Sequence, residues 1–145
     1  MISTVVVALG SLRILTMNDL ASCNELPNGL CPLPYLEYLQ IVRAPVTKRV
    51  GPEFLLPNHH CRDHSQVGVS FPRLSWLNFN RLVVWEEWEW EAQVKAMPML
   101  EELKLKKCKL RRVPVGLAFH AKALKILCIS NVKHLSFLEN FVKRI

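Results

Sequence analysis

Leu100-Glu-Glu-Leu103-Lys-Leu105-Lys-Lys-Cys108-Lys-Leu110-Arg-Arg-Val113-Pro-Val-Gly-Leu117 carries an apolar spacing that returns along the chain. Leu103 and Leu105 stand two residues apart. That period sends both side chains to one face of a strand and leaves Lys104 and Lys106 on the other. Leu100 precedes them by three, and Cys108, Leu110, Val113 and Leu117 continue the apolar set. A strand this short cannot bury its apolar face alone. The stretch therefore predicts neighbours of the same kind, stacked one on the next.

Those neighbours can be aligned to it. Leu12-Arg-Ile-Leu15-Thr-Met17-Asn-Asp-Leu20 precedes Cys23, Leu26-Pro27 and Leu30, and Leu36-Glu-Tyr-Leu39-Gln-Ile41 precedes Val46, Val50 and Phe54-Leu55-Leu56. Leu74-Ser-Trp-Leu77-Asn-Phe79 leads to Leu82, and Leu124-Lys-Ile-Leu127-Cys-Ile129 leads through Asn131 to Leu135, with Asn131 near the place that Cys108 holds. The starts at 12, 36, 74, 100 and 124 are regular except for one gap, and residues 57–70 account for that gap as a polar loop insertion without apolar period. Strands are predicted near 13–18, 37–42, 75–80, 101–106 and 125–130, parallel in one sheet. Pro27, Pro34, Pro98 and Pro114 all fall between them, as a residue without an N–H must.

Composition agrees with one domain, residues 1–145. Half of the 145 residues are apolar, enough to build a core. The net charge of +7 favours acidic partners only if the charge is gathered in one place. Five cysteines make an odd count with no C-x-x-C pair, which suggests a reducing compartment and neither a disulfide framework nor a redox motif. The apolar run Val5 to Leu9 follows no basic residue and is far too short to span a bilayer; it reads as the tail of a preceding unit.

The L-x-x-L-x-L spacing followed by Cys or Asn is that of leucine-rich repeats. The expected fold is α/β: a leucine-rich-repeat solenoid, a curved parallel β-sheet of about five repeats with irregular or short helical returns. Residues 36–56, with Val50-Gly-Pro-Glu-Phe54, and residues 71–105, with Phe71-Pro-Arg-Leu74, Trp85-Glu-Glu-Trp88-Glu-Trp90 and Met97-Pro-Met-Leu-Glu-Glu-Leu103, carry a closer resemblance. They resemble the C-terminal leucine-rich repeats of cereal nucleotide-binding leucine-rich-repeat disease-resistance proteins. The resemblance implies the sensor or autoinhibitory part of an intracellular immune receptor. No G-x-x-x-x-G-K-[ST] loop is present, so nucleotide binding does not carry over.

Binding candidates follow from the alternation. The outward residues of the predicted strands are Arg13, Thr16, Asn18 and Asp19; Tyr38, Gln40 and Arg43; Trp76, Asn78, Asn80 and Arg81; Glu102, Lys104, Lys106 and Lys107; and Cys128, Ser130 and Asn131. Tyr38 and Trp76 are the strongest anchors, because rings bury much area with few torsions to freeze. Trp85, Trp88 and Trp90 are expected inside, with Glu86, Glu87 and Glu89 in water. His59, His60, Cys61 and His64 match metal ligands in type but lack the paired spacing of a zinc module, and a polar loop is the preferred reading. The basic run from Lys104 to Arg112 has no interleaved aromatic platform, which disfavours nucleic acid as a partner.

The function expected is a non-enzymatic protein-interaction module with no cofactor and no metal. Its partner would be a protein: a pathogen effector, a guarded host protein, or the nucleotide-binding domain of a related receptor, in the cytoplasm or nucleus and away from the membrane. A generic leucine-rich adaptor, such as the substrate-recognition part of a ubiquitin ligase, is the alternative. An extracellular receptor would carry N-x-[ST] acceptors, and no Asn is followed two positions later by Ser or Thr. No nucleophile, base and orienting group can be assembled from the spacings.

Overall fold

The computed structural model describes residues 10–56 and 68–136. The Val5–Leu9 run, most of the loop insertion, and His59, His60, Cys61 and His64 therefore lie outside the described residues.

Each five-residue strand alternates side chains between two faces. The strands β1 (Ile14–Asn18) and β2 (Tyr38–Val42) are followed by the two-residue β3 (Arg49–Val50), then β4 (Trp76–Asn80), the two-residue β5 (Glu87–Trp88), β6 (Glu102–Lys106) and β7 (Ile126–Ser130). One parallel sheet takes the long strands in the order β1-β2-β4-β6-β7, and a second pairs β3 with β5. Ile14 stands beside Tyr38, Tyr38 beside Trp76, Trp76 beside Glu102 and Glu102 beside Ile126, so the register holds across the whole sheet. The expected strands agree with these bounds after loss of one residue at each start. Arg13, Glu37, Ser75, Glu101 and Lys125 occupy those lost positions, and each of the first four carbonyls accepts two successive N–H groups of the next segment, a bend rather than a ladder step.

The face turned inward carries Leu39, Ile41, Leu77, Phe79, Leu103 and Leu105, all buried. Leu15, Met17, Leu127 and Ile129 on the outer strands are only partly covered, because each of those strands has one neighbour among the described residues. The five strands thus share one core, deepest under β2, β4 and β6.

Every long strand ends in the same way. The next residue, Asp19, Arg43, Arg81, Lys107 or Asn131, has φ between 52° and 63°. A left-handed backbone is unfavourable for residues with a Cβ, and it is held by hydrogen bonds from the corner N–H to the last carbonyl of the following strand. Asp19 donates to Val42 at 2.9 Å, Arg43 to Asn80 at 2.9 Å, Arg81 to Lys106 at 3.0 Å and Lys107 to Ser130 at 2.9 Å. The corner turns the following side chain back to the core: Ala44, Leu82 and Cys108 are buried. Asn131 accordingly stands in register with Lys107, and Val132 rather than Asn131 takes the position of Cys108.

The layer opposite the sheet is mostly irregular. It holds β3, β5, a 3-10 turn at Pro52–Phe54 and one short helix, α1 (Val115–His120). Phe79 packs against Trp85 and Trp88 with centroids 4.8 and 5.6 Å away, and Phe54 lies 5.2 Å from Phe71. Trp85, Trp88 and Trp90 are all buried, while Glu86, Glu87 and Glu89 keep contact with solvent. The indole N–H groups of Trp85 and Trp90 donate to the carbonyls of Glu87 and Val94.

Two details differ from the sequence expectation. Ser70, read as the end of a loop, is buried, bridges Ala96 in parallel and gives its hydroxyl to the carbonyl of Leu55. Val46, read as part of an apolar return, is 43% exposed because Thr47 beside it takes the buried position.

Candidate functional site

The sheet face away from the core is organised in rows, since an in-register parallel sheet sets equivalent residues side by side. The first row is Ile14, Tyr38, Trp76, Glu102 and Ile126. The second is Thr16, Gln40, Asn78, Lys104 and Cys128; the third is Asn18, Val42, Asn80, Lys106 and Ser130. Arg43 and Arg81, counted with the outward residues, occupy the left-handed corners just past their strands, as do Asp19, Lys107 and Asn131. Arg13 lies just before β1 rather than on it.

The face runs from apolar to cationic along the strands. Trp76 is 42% exposed and adjoins Tyr38, whose hydroxyl donates to Gln40 Oε1 at 3.0 Å. Lys104 pairs with Glu102 at 3.7 Å, and Arg43 with Asp19 at 3.5 Å. Among the described residues, Arg81, Lys106 and Lys107 have no carboxylate within ion-pair distance. Asn78 Oδ1, near the middle of the sheet, is buried without a hydrogen-bond partner among the described residues, a costly state.

Alternation places Ile14, Val42 and Ile126 on this face as well, and selection of polar and aromatic candidates alone missed them. Ile14 and Ile126 are 66% and 49% exposed and extend the apolar row at both ends. The remaining members of the basic run, Lys109, Arg111 and Arg112, lie past the corner at Lys107 and away from these rows.

No group of three or more His, Cys, Asp or Glu side chains able to hold a metal occurs among the described residues. Burial pushes the Cys31 thiol up to about 11, against a smaller opposing effect of its hydrogen bond with Ser70, and burial also raises Cys108. Thiols held protonated are poor nucleophiles. Among the described residues no helix is long and apolar enough to cross a membrane. No family model, no curated protein and no solved structure matches this chain.

Proposed function

We propose that the chain is a leucine-rich-repeat solenoid that acts as a protein-interaction module, of the kind found at the C-terminal end of plant nucleotide-binding disease-resistance receptors, and binds an acidic protein surface with the outward face of its sheet. The observation that carries this reading is the juxtaposition of Tyr38 and Trp76 on adjacent strands at one end of the face, with Arg81 and Lys106, which have no carboxylate partner among the described residues, at the other end. Rings on a backbone fixed by ladders on both sides lose little entropy on binding, and cations at the strand ends steer an acidic partner and fix its orientation. The five equal strand endings and the resemblance of residues 36–56 and 71–105 support the repeat reading. The role would be pathogen recognition or autoinhibitory docking, in the cytoplasm or nucleus, without catalysis or cofactor.

The test is titration of the chain with the nucleotide-binding domain of a related receptor. Tyr38→Ala and Trp76→Ala each weaken binding by about 1–2 kcal/mol, while Glu89→Ala, on the opposite layer, changes it little. The association rate falls as salt rises. Unchanged affinity in both ring variants moves the site off this face, and tight ATP binding by the chain itself overturns the non-enzymatic reading.

A further inference from the structure

Beyond the strand ends, on the opposite side of the corner from the rows, the fold gathers a second set of charges. A cavity of about 470 Å³ is lined by Glu86, Lys109, Arg111, Arg112, His134 and Ser136. An adjoining depression of about 280 Å³ shares Lys109 and His134 and adds Lys107 and Lys133. Lys133 and His134 are more than twenty positions away from the basic run in the chain. Only stacking of the β7 segment on the β6 segment brings them together.

The cations are held on a fixed backbone. The Lys109 N–H donates to the Trp85 carbonyl at 3.0 Å and the Arg111 N–H to the Glu86 carbonyl at 3.1 Å. From the other side, the Ser136 N–H donates to the Arg111 carbonyl at 2.7 Å, and Arg112 bridges Ser136 in parallel. Leu110 and Val113 are buried while Lys109, Arg111 and Arg112 are exposed, so the apolar residues anchor the segment and leave the charged ones free to face a ligand. Among the described residues Glu86 is the single carboxylate in the lining, and it reaches only Arg111, at 3.7 Å. Lys107, Lys109, Arg112 and Lys133 have no acidic partner among the described residues.

We infer that this groove is a binding site for a small anion bearing two or more phosphate groups. Guanidinium groups at Arg111 and Arg112 offer forked donors that match phosphate oxygens, and the lysines add point charges around them. The volume lies in the range of about 300–1,000 Å³ in which small-ligand pockets fall. Among the described residues no Phe, Tyr or Trp ring lines either depression to offer bases a stacking surface, and the forked guanidinium donors suit a compact polyphosphate better than single-stranded nucleic acid. None of the residues in the three rows lines the groove, and the two surfaces meet only at the corner residues Lys107 and Asn131.

The experiment is calorimetric titration of the whole chain with sodium tripolyphosphate at constant ionic strength. Saturable one-to-one binding is expected, and Arg111→Gln with Arg112→Gln lowers affinity by at least about tenfold, the scale of losing a hydrogen bond between charged groups. Lys109→Gln, a single exposed change, weakens binding in the same direction and serves if the double variant does not fold. Glu86→Gln strengthens binding, because it removes a carboxylate from the groove, a gain that a merely structural role for these residues would not produce. The distant Arg13→Gln has no effect. Flotation with vesicles carrying phosphatidylinositol bisphosphate separates the two sources of the anion: vesicle binding displaced by tripolyphosphate assigns a lipid headgroup, and binding of the free anion alone assigns a soluble one. Absence of saturable binding in both arms, equal losses in Arg13→Gln, or weaker binding in Glu86→Gln overturns the inference.

Discussion

Gly116, in the first turn of α1, lies against the indole of Trp90 so closely that a Cβ at position 116 would stand 2.5 Å from Trp90 Cδ1. The ring has little room to withdraw. Its N–H donates to the Val94 carbonyl at 2.8 Å, and the ring stacks with His120, whose Nε2–H donates to the Ala92 carbonyl. Gly116→Ala is therefore expected to destabilise the chain by about 1–3 kcal/mol, the usual cost of overpacking. Urea unfolding followed by tryptophan fluorescence measures it; an unchanged midpoint would mean that α1 is not seated on Trp90.

Thr47 is fully buried and donates its hydroxyl to the Cys23 carbonyl, 2.7 Å away and 24 positions earlier. This bond ties the turn after β1 to the turn after β2. Thr47→Val keeps the shape but orphans a carbonyl, and should cost about 1–3 kcal/mol, whereas Thr47→Ser retains the donor and loses only a methyl, about 1 kcal/mol. The order of the two variants in thermal unfolding is the check, and Thr47→Val as stable as Thr47→Ser would remove the bond from the account.

Leu103 and Lys104 are neighbours with opposite fates. Leu103 is fully buried beside Leu77 and Leu127, so Leu103→Ala should lose about 2–5 kcal/mol and Leu103→Asp should unfold the chain. Lys104→Ala, on the outward face, should stay within about 0.5 kcal/mol. Circular dichroism of the three variants tests the inward and outward assignment of β6, and a folded Leu103→Asp would reverse it.

The Cys31 thiol gives a pH dependence with a definite sign. Burial holds its folded value at about 11 against an ordinary value of 9.0, so the native state keeps its proton where the unfolded chain has lost it. The resulting stability is complete below pH 9 and declines as pH rises towards 11, since the unfolded state then binds fewer protons. Cys31→Ala should flatten this decline relative to the parent chain. Denaturant midpoints at several alkaline pH values are the readout, and parallel curves for the two proteins would show that Cys31 is not buried as a thiol.

Strand positions and register were legible in the linear sequence because they depend on a local rule. Apolar residues two apart need one buried face, and the recurrence of Leu100-x-x-Leu103-x-Leu105 along the chain leaves few ways to stack such faces other than a parallel ladder. The expected burial of Trp85, Trp88 and Trp90 follows from the same cost of exposing large rings. The outward set was readable in outline. Ile14, Val42 and Ile126 were missed because apolar residues on an alternating strand look like core until the partner rows show which way they point.

Tertiary structure decided what depends on contacts between distant segments. The left-handed corners at Asp19, Arg43, Arg81, Lys107 and Asn131 have no single residue type in common, and at Asp19, Arg43, Arg81 and Lys107 the carbonyl that receives the corner N–H belongs to the adjacent strand of the sheet. Glycine at 116 is needed only because Trp90 comes to rest there. Lys133 and His134 join Lys109, Arg111 and Arg112 only once β7 has paired with β6. A sequence records which side chains want burial or water; the packing of one strand against the next determines which of those in water face the same ligand.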